Sequence, residues 1–294
     1  MIKIRVPATS ANLGPGFDCL GLALDIWNET SFEIAQETSF GASGEGADKL
    51  SAHPNNLLIR AMQKVFEVCA QKHNAQIMAQ NNIWISSGLG SSAAAIVTGM
   101  LGANGLLGHP LTPADLLRLA TQMEGHPDNA APALLGGLVV SAMSGEKIIT
   151  RRYDVPEWNI VIVKPDVYWP THKARAVLPK RISRADAVFN IGRAALVVDA
   201  LRTGDLNLLK DAMDDRIHQP FRLSQIQGAR EAFSAAKQFG AAALSGAGPS
   251  IICFVETGNT NAAMKTIQAA FENQGVRAKG LETRPSLQGA HNAE

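Results

Sequence analysis

The chain has 294 residues, of which 46% are apolar and 18% are charged, and its formal net charge at pH 7 is +1. This length and composition allow a large core in two domains or one large domain, which excludes a disordered protein. The near-neutral charge argues against a nucleic-acid-binding surface, which usually needs a basic stripe. Small molecules are therefore the expected partners.

Cysteine content and hydropathy indicate where the protein works. Cys19, Cys69 and Cys253 are too far apart to suggest a disulfide framework or a zinc site, as expected for a reducing compartment. The sequence shows no signal-peptide pattern, and its longest apolar stretch, 130–143, is too short and interrupted to span a bilayer. We expect a cytoplasmic protein that makes no membrane contact.

The first third of the chain predicts a mixture of strands and helices. Residues 2–8 and 30–36 alternate as strands do, and 81–87 are typical of a short strand. Residues 55–71 place apolar side chains at helical spacing, behind Asn55 or Asn56 as the N-cap. The string SSGLGSSAAA (86–95) follows the third strand and opens a helix of small residues.

The next helix is predicted over 112–125 by its end signals. Thr112 can cap it, Pro113 suits its first position, Asp115 completes a capping box, and Gly125 can end it.

The remaining elements continue the mixed pattern, and the tail, 286–294, is expected to fray. No flexible linker marks a boundary, and we place it between domains 1–155 and 156–294. The predicted elements are paired strands 137–143 and 146–153 with a turn at Ser144–Gly145, a buried strand 158–164, helices 184–203, 205–215 and 228–239, a strand–glycine loop–strand unit 240–256, a helix 260–275 and a strand 276–283.

The glycine string between a predicted strand and a predicted helix suggests an anion site, because the first amides of a helix lack intrahelical partners. Gly88 and Gly90 allow close approach of the backbone, and Ser91 and Ser92 add hydroxyls. Three interpretations stay open on this string alone: close helix packing, a dinucleotide fingerprint, or a triphosphate site without a Walker loop. The fingerprint fails in context, because Asp115 has the required spacing but starts a helix.

Five further strings carry a resemblance: PATSANLGPGFDCLGLAL (7–24), EGHPDNAAPALLGG (124–137), THKARAVLP (171–179), HQPFR (218–222) and LSGAGPSIICF (244–254). With SGLGSSAAA they resemble the motifs of the GHMP kinases, and the first four resemble those members that phosphorylate homoserine. The resemblance implies an α+β fold with a ribosomal-protein-like N-terminal domain, a ferredoxin-like α/β-plait C-terminal domain, and an active site between them. It also implies a homodimer that transfers the γ-phosphoryl group of ATP to the side-chain hydroxyl of L-homoserine, on the route to threonine.

The same resemblance implies roles for individual residues. Magnesium is expected on Ser92 and Glu124, and Asn12, Asn129 and Glu124 are expected to serve catalysis. The residues expected around the ATP phosphates are Gly88, Leu89, Gly90, Ser91, Ser92, Ala93 and Ala94. Those expected around the amino acid are Asn12, Asp18, His126, Asp128, Asn129, Arg175 and Arg222, with the arginines on its carboxylate and Asp18 on its ammonium group.

Two features bear on the expected mechanism. By the resemblance, Asn129 stands where mevalonate kinase, another member of the family, has a catalytic aspartate, and an amide cannot accept a proton at neutral pH. We therefore expect the substrate hydroxyl to pass its proton to the phosphate. No lysine lies near the glycine string in the sequence, so amides, helix dipole and magnesium are expected to stabilise the charge. A member acting on another small alcohol, such as threonine, and an inactive ligand-sensing relative are the alternatives.

Overall fold

The computed structural model describes residues 1–51 and 56–293, which form two sheets and the helices around them. The strands are β1 (Ile2–Ala11), β2 (Leu20–Ala35), β3 (Ser39–Gly44), β4 (Asn74–Asn81), β5 (Leu138–Ser144), β6 (Lys147–Tyr153), β7 (Asn159–Pro165), β8 (Gly240–Leu244), β9 (Ile251–Val255), β10 (Ala278–Thr283) and β11 (His291–Asn292). The helices are α1 (Ala47–Ser51), α2 (Leu57–Val68), α3 (Ser91–Leu106), α4 (Pro113–Glu124), α5 (Ala130–Leu135), α6 (Thr171–Ala176), α7 (Arg184–Thr203), α8 (Leu206–Ala212), α9 (Gln219–Leu223), α10 (Ala229–Lys237) and α11 (Thr260–Glu272).

The first sheet has the order β11-β1-β2-β4-β3, and the β5–β6 hairpin attaches to β2. The second sheet has the order β10-β7-β9-β8, with antiparallel neighbours throughout. Numbered within this sheet, its strands run 4-1-3-2 with helices before the second and fourth, which is the βαββαβ arrangement of a ferredoxin-like fold. The α+β prediction is confirmed.

The two sheets share one hydrophobic core through β7. Ile160 and Ile162 pack into the core that holds the first sheet, whereas Val161 and Val163 pack against α10 and α11 on the other face. Because side chains alternate along a strand, a strand buried on both faces needs a continuous apolar run. This confirms the buried strand predicted over 158–164.

Helix α3 crosses the first core with an unusually small surface. A Cβ atom on Gly99 would lie 2.1 Å from the Leu58 carbonyl oxygen, and one on Gly102 would lie 2.4 Å from the Phe32 ring. The body of this helix therefore uses small residues for close packing.

The predicted end signals of two helices are confirmed. Thr112 caps α4 in a reciprocal capping box with Asp115, and Gly125 follows the helix in the left-handed conformation. Asn56 caps α2 by accepting a hydrogen bond from the Leu58 amide at 2.9 Å. The alternative cap, Asn55, lies outside the described residues.

Two local predictions in the first sheet are wrong. The strand predicted over 81–87 lies earlier, because β4 ends at Asn81 and residues 82–90 form turns. The Ile83 amide there bonds to the side-chain oxygen of Asn28 at 3.0 Å, so a side chain replaces a neighbouring strand. The β5–β6 turn is Gly145–Glu146, because Ser144 pairs with Lys147.

The expectation of a frayed tail is also wrong for the residues that the structure describes, which end at Ala293. β11 pairs with β1 through Ile4 and Arg5, so the tail adds a short strand to the edge of the first sheet. Across the described ranges we find no helix with the length and apolar character that a bilayer crossing requires.

Candidate active site

Two glycine-containing loops, 86–90 and 245–250, meet the end of β1 at the start of α3. The Thr9 amide donates to the Leu89 carbonyl at 3.1 Å, and the Ser250 amide donates to the Ser87 carbonyl at 3.2 Å. The Ser245 hydroxyl donates to the Gly88 carbonyl at 2.7 Å. The loop before α3 is therefore held from both sheets at once.

Glycine is required at two positions of this loop. Gly88 has φ +84°, and a Cβ there would lie 2.1 Å from the Ser245 carbonyl oxygen. Gly90 caps α3 with φ +65°, and a Cβ there would lie 1.9 Å from the Thr9 hydroxyl. A side chain at either position would push the loop away from its supports. With glycine there, the positive end of a 16-residue helix stays against the cavity that the loop lines.

A cavity of about 480 Å³ opens in front of this helix end. Leu89 and Ala94 are buried and do not line it, although the Leu89 carbonyl holds Thr9. The predicted site residues that do line it are Asn12, Asp18, Gly88, Gly90, Ser91, Ser92, Ala93, Glu124, His126, Asp128, Asn129, Arg175 and Arg222.

Ser92 and Glu124, the expected magnesium ligands, meet at one wall of the cavity. The Ser92 hydroxyl donates a hydrogen bond to Glu124 Oε1. Ser92 lies in the first turn of α3, and Glu124 is the last residue of α4. Burial raises the pKa of Glu124, although the Ser92 hydrogen bond opposes the shift. A hydroxyl and a half-buried carboxylate side by side form a donor set that suits a hard divalent cation.

His126, Asp128 and Asn129 form a second wall, just ahead of α5. His126 Nδ1 is hydrogen-bonded to Asp128 Oδ1, and the Asn129 amide nitrogen lies 3.4 Å from the same oxygen. Burial lowers the pKa of His126, but the hydrogen bond to Asp128 and the charges of Asp128 and Asp18 outweigh it and raise the pKa. The Thr9 hydroxyl donates to Asn129 Oδ1 at 2.8 Å, which fixes the amide with its nitrogen toward Asp128.

The loop after β1 presents Asn12 and Asp18. Both have positive φ, +68° and +57°, in the left-handed region that asparagine and aspartate tolerate better than most residues. Asn12 donates to the Gly246 carbonyl at 2.8 Å and accepts from the Asp18 amide at 3.0 Å. Arg175 forms two parallel hydrogen bonds to Asp18, at 2.7 and 3.1 Å. The groups expected on the ammonium and the carboxylate of one substrate thus lie in direct contact.

Arg222 lies deep behind the same loop, at 1% exposure. Its guanidinium donates to the carbonyls of Ala174 and Gly246, each at 3.1 Å, and to His218 Nδ1 at 3.2 Å. Burial lowers the pKa of Arg222 to about 10. A buried arginine at a cavity wall is unlike the solvated arginines of ordinary surfaces.

Sequence reasoning missed several features of the cavity. Lys49 lines it from α1, so the cavity is not free of lysine, although no spacing in the sequence connects Lys49 with the glycine loop. Trp169 also lines it and is held by a 3.0 Å hydrogen bond to the Ala247 carbonyl. His218 lay within the string HQPFR, but only Arg222 of that string received a role.

Comparison with known proteins gives consistent matches along the chain. The family models of the GHMP kinases N terminal domain and of the GHMP kinases C terminal region match residues 56–137 and 197–276. A homoserine kinase of Moorella thermoacetica is 44% identical over 99% of each chain, and one of Carboxydothermus hydrogenoformans is 41% identical over 99% of this chain and 96% of its own. The crystal structure of a homoserine kinase from Cytophaga hutchinsonii superimposes with a TM-score of 0.86 at 28% identity, covering 99% of this chain and 97% of that one.

Proposed function

This chain belongs to the GHMP kinase family, and from that premise we propose that it is a small-molecule kinase that phosphorylates the side-chain hydroxyl of L-homoserine with ATP. The observation that carries the proposal is one cavity that holds both a glycine loop at a helix N-terminus and the Asp18–Arg175 pair. The first suits the phosphates of a nucleotide, and the second suits a zwitterion. The product is O-phospho-L-homoserine, an intermediate of threonine biosynthesis.

The start of α3 is the proposed phosphate site. Its first amides, together with the hydroxyls of Ser91 and Ser92, face phosphate oxygens in this assignment, and Lys49 adds a positive charge to the same cavity. Ser92 and Glu124 would hold magnesium, which when bound neutralises charge on the phosphate oxygens.

The substrate site is proposed at Asp18, Arg175 and Arg222. In the structure Asp18 and Arg175 neutralise each other. An amino-acid zwitterion brings an ammonium group for Asp18 and a carboxylate for Arg175 and Arg222, so it exchanges one ion pair for two. No buried charge is left unpaired by that exchange, which is why a zwitterion fits better than a neutral alcohol.

The transfer step needs positioning more than it needs a base. Asn12 and Asn129 orient the hydroxyl toward the γ-phosphorus, and an amide at Asn129 cannot take the proton. The bond from the substrate oxygen to the γ-phosphorus forms, the bond from that phosphorus to the bridging oxygen of ADP breaks, and the hydroxyl proton passes to the transferred phosphoryl group.

A coupled assay of ADP release over a panel of alcohols tests the proposal. L-homoserine should give the highest kcat/KM, with L-threonine and mevalonate well below it, since threonine places its hydroxyl one carbon closer to the ammonium group. A preference for another alcohol would identify a different kinase of the family. Absence of ADP with every alcohol, together with ATP binding, would favour a ligand-sensing protein.

Other expectations stay predictions. They are the homodimer, the cytoplasmic location, the boundary between residues 155 and 156, and the role of each site residue.

A further inference from the structure

His218 is a fully buried histidine next to the proposed substrate site, and the cavity itself does not touch it. Each of its ring nitrogens has a partner. Nε2 lies 2.8 Å from the Gly14 carbonyl oxygen, and Nδ1 lies 3.2 Å from Nη1 of Arg222. One partner belongs to the loop that carries Asn12 and Asp18, and the other is a proposed ligand of the substrate carboxylate.

The chemistry of these partners fixes the form of the ring. A carbonyl oxygen can only accept a hydrogen bond, so His218 Nε2 carries the hydrogen, and a guanidinium can only donate, so Nδ1 keeps its lone pair. The neutral Nε2–H tautomer is the one form that serves both partners. Burial lowers the pKa of His218 to about 4, in agreement with a neutral ring.

The hydrogen bond from Arg222 also orients the guanidinium. Nε donates to the Ala174 carbonyl, and the two hydrogens of Nη1 are taken by the Gly246 carbonyl and by His218. Since these acceptors use the hydrogens of Nε and Nη1, Nη2 is the nitrogen that can donate to an anion in the cavity that Arg222 lines. Without the acceptor at His218, one hydrogen of a buried cation would lose its partner, and the guanidinium could turn.

The backbone of His218 is itself held rigidly. The Asp215 carboxylate accepts hydrogen bonds from the amides of His218 at 2.9 Å and Gln219 at 2.6 Å. Asn190 donates to Asp215 at 2.6 Å and to the Pro15 carbonyl at 3.2 Å, which ties this network to the same substrate loop. A ring with a fixed tautomer on a fixed backbone transmits a defined position to both neighbours.

We propose that His218 is a positioning residue of this kinase. It orients the Arg222 guanidinium toward the substrate carboxylate. Through the Gly14 carbonyl it also holds the loop that carries Asp18, so that Asp18 can bind the substrate ammonium group. The proposal rests on the function proposed above and deepens it. His218 touches no substrate and acts through Arg222 and Gly14.

Two substitutions separate the two contacts. In His218→Asn the side-chain oxygen falls near the position of Nδ1 and can accept from Arg222, whereas in His218→Gln the amide nitrogen falls near Nε2 and can donate to Gly14. A hydrogen bond to a charged group contributes about 1.5–3 kcal/mol, which corresponds to about 10- to 150-fold in a binding constant. We expect His218→Gln to raise KM for homoserine at least about 10-fold, with KM for ATP changed less than about twofold. His218→Asn keeps the bond from Arg222 and loses only the neutral bond to Gly14, so it should raise KM for homoserine less, by about two- to tenfold.

Controls distinguish the outcomes. His73→Gln, at a half-buried histidine whose ring packs at a tilt against Phe66, should leave both Michaelis constants unchanged. Wild-type KM for homoserine in both His218 variants would overturn the positioning role, as would equal rises in both Michaelis constants that follow a loss of thermal stability. If the wild type neither turns over homoserine nor binds it in calorimetry, the proposed function fails first, and the positioning role fails with it.

Discussion

Glu124, the proposed magnesium ligand, is a partly buried carboxylate with a hydroxyl neighbour. Burial raises its pKa, since a charged carboxylate is poorly solvated where Glu124 lies. The Ser92 hydroxyl donates a hydrogen bond to Glu124. A carboxylate and a hydroxyl oxygen side by side are ligands that a hard divalent cation prefers, so the pair suits the magnesium proposed there.

Replacing Glu124 with glutamine keeps the shape and removes the charge. We expect Glu124→Gln to raise the magnesium concentration for half-maximal activity by about 10-fold or more, because one anionic ligand is lost. The check is a magnesium titration of ADP release, alongside Glu146→Gln, which makes the same change at an exposed turn. Superimposable titrations of Glu124→Gln and the wild type would remove Glu124 from the proposed metal site.

The motifs predicted most of the residues that line the cavity, with Leu89 and Ala94 as exceptions, but not how those residues pair. Asp18 and Arg175 are separated by 157 positions, and the two hydrogen bonds between them depend on tertiary structure alone. The sequence pattern does not assign a role to Lys49 or His218 either. Lys49 reaches the cavity from α1, and His218 contacts Arg222 from behind, and neither position follows from periodicity. Local sequence encodes loop conformation well, as at Gly88 and Gly90, and encodes long-range pairing poorly.

The C-terminal segment is the element that sequence reasoning judged least correctly. β11 has two residues, and its strand character comes from the exposed edge of β1 rather than from its own pattern. Before it, the Ser286 carbonyl accepts from the Gly137 amide at 2.7 Å, and the Ala290 amide donates to the Ala133 carbonyl at 2.8 Å. The segment therefore straps α5, whose N-cap is Asn129.

Gly289 is the closest point of this strap. A Cβ there would lie 2.3 Å from the Leu134 carbonyl oxygen and 2.5 Å from the Gly136 amide nitrogen, both backbone atoms that cannot rotate away. We expect Gly289→Ala to cost about 1–3 kcal/mol and to lower Tm by roughly 2–10 °C. We also expect kcat to fall, because a displaced α5 moves Asn129. Thermal melts and steady-state kinetics provide the check.

Gly192 supplies a matched control for that substitution. It lies within α7 with no atom within 4 Å of a Cβ, so Gly192→Ala should be neutral or should stabilise the protein by up to about 1 kcal/mol. If Gly289→Ala has the same Tm as Gly192→Ala and keeps the full kcat, the C-terminal segment 286–290 does not position α5.

Across the whole molecule, the site depends on contacts between the two sheets. Loop 86–90 precedes α3 beside the first sheet, loop 245–250 joins β8 and β9 of the second, and their hydrogen bonds close the floor of the cavity. The shared core through β7 fixes this meeting point. Periodicity predicted the strands of the second sheet, but their 4-1-3-2 order came only from the family resemblance, since alternation does not specify which strands pair.

The acid stability of the folded chain should also carry the signature of His218. Its pKa is about 4 in the folded state, and an exposed histidine titrates near about 6.5. Between these values the unfolded chain binds more protons than the folded chain, so the free energy of unfolding rises with pH. The contribution is complete above about pH 6.5 and is lost as pH falls toward 4. Its full size is on the order of 3 kcal/mol.

Urea unfolding of the wild type and His218→Asn between pH 4 and 7 isolates this contribution. The raised pKa of Glu124 acts with the opposite sign, because it favours the folded state at low pH, but both proteins carry Glu124. Both proteins also carry Asp215 and Arg222, the charged residues with the largest effects on the pKa of His218. The difference between the two free energies should therefore change with pH through His218 alone, and the wild type should gain on the variant by up to roughly 3 kcal/mol from pH 4 to 6.5. Parallel curves would mean that folding does not shift the pKa of His218, so that the buried ring is charged below about pH 6.5 and cannot then accept a hydrogen bond from Arg222.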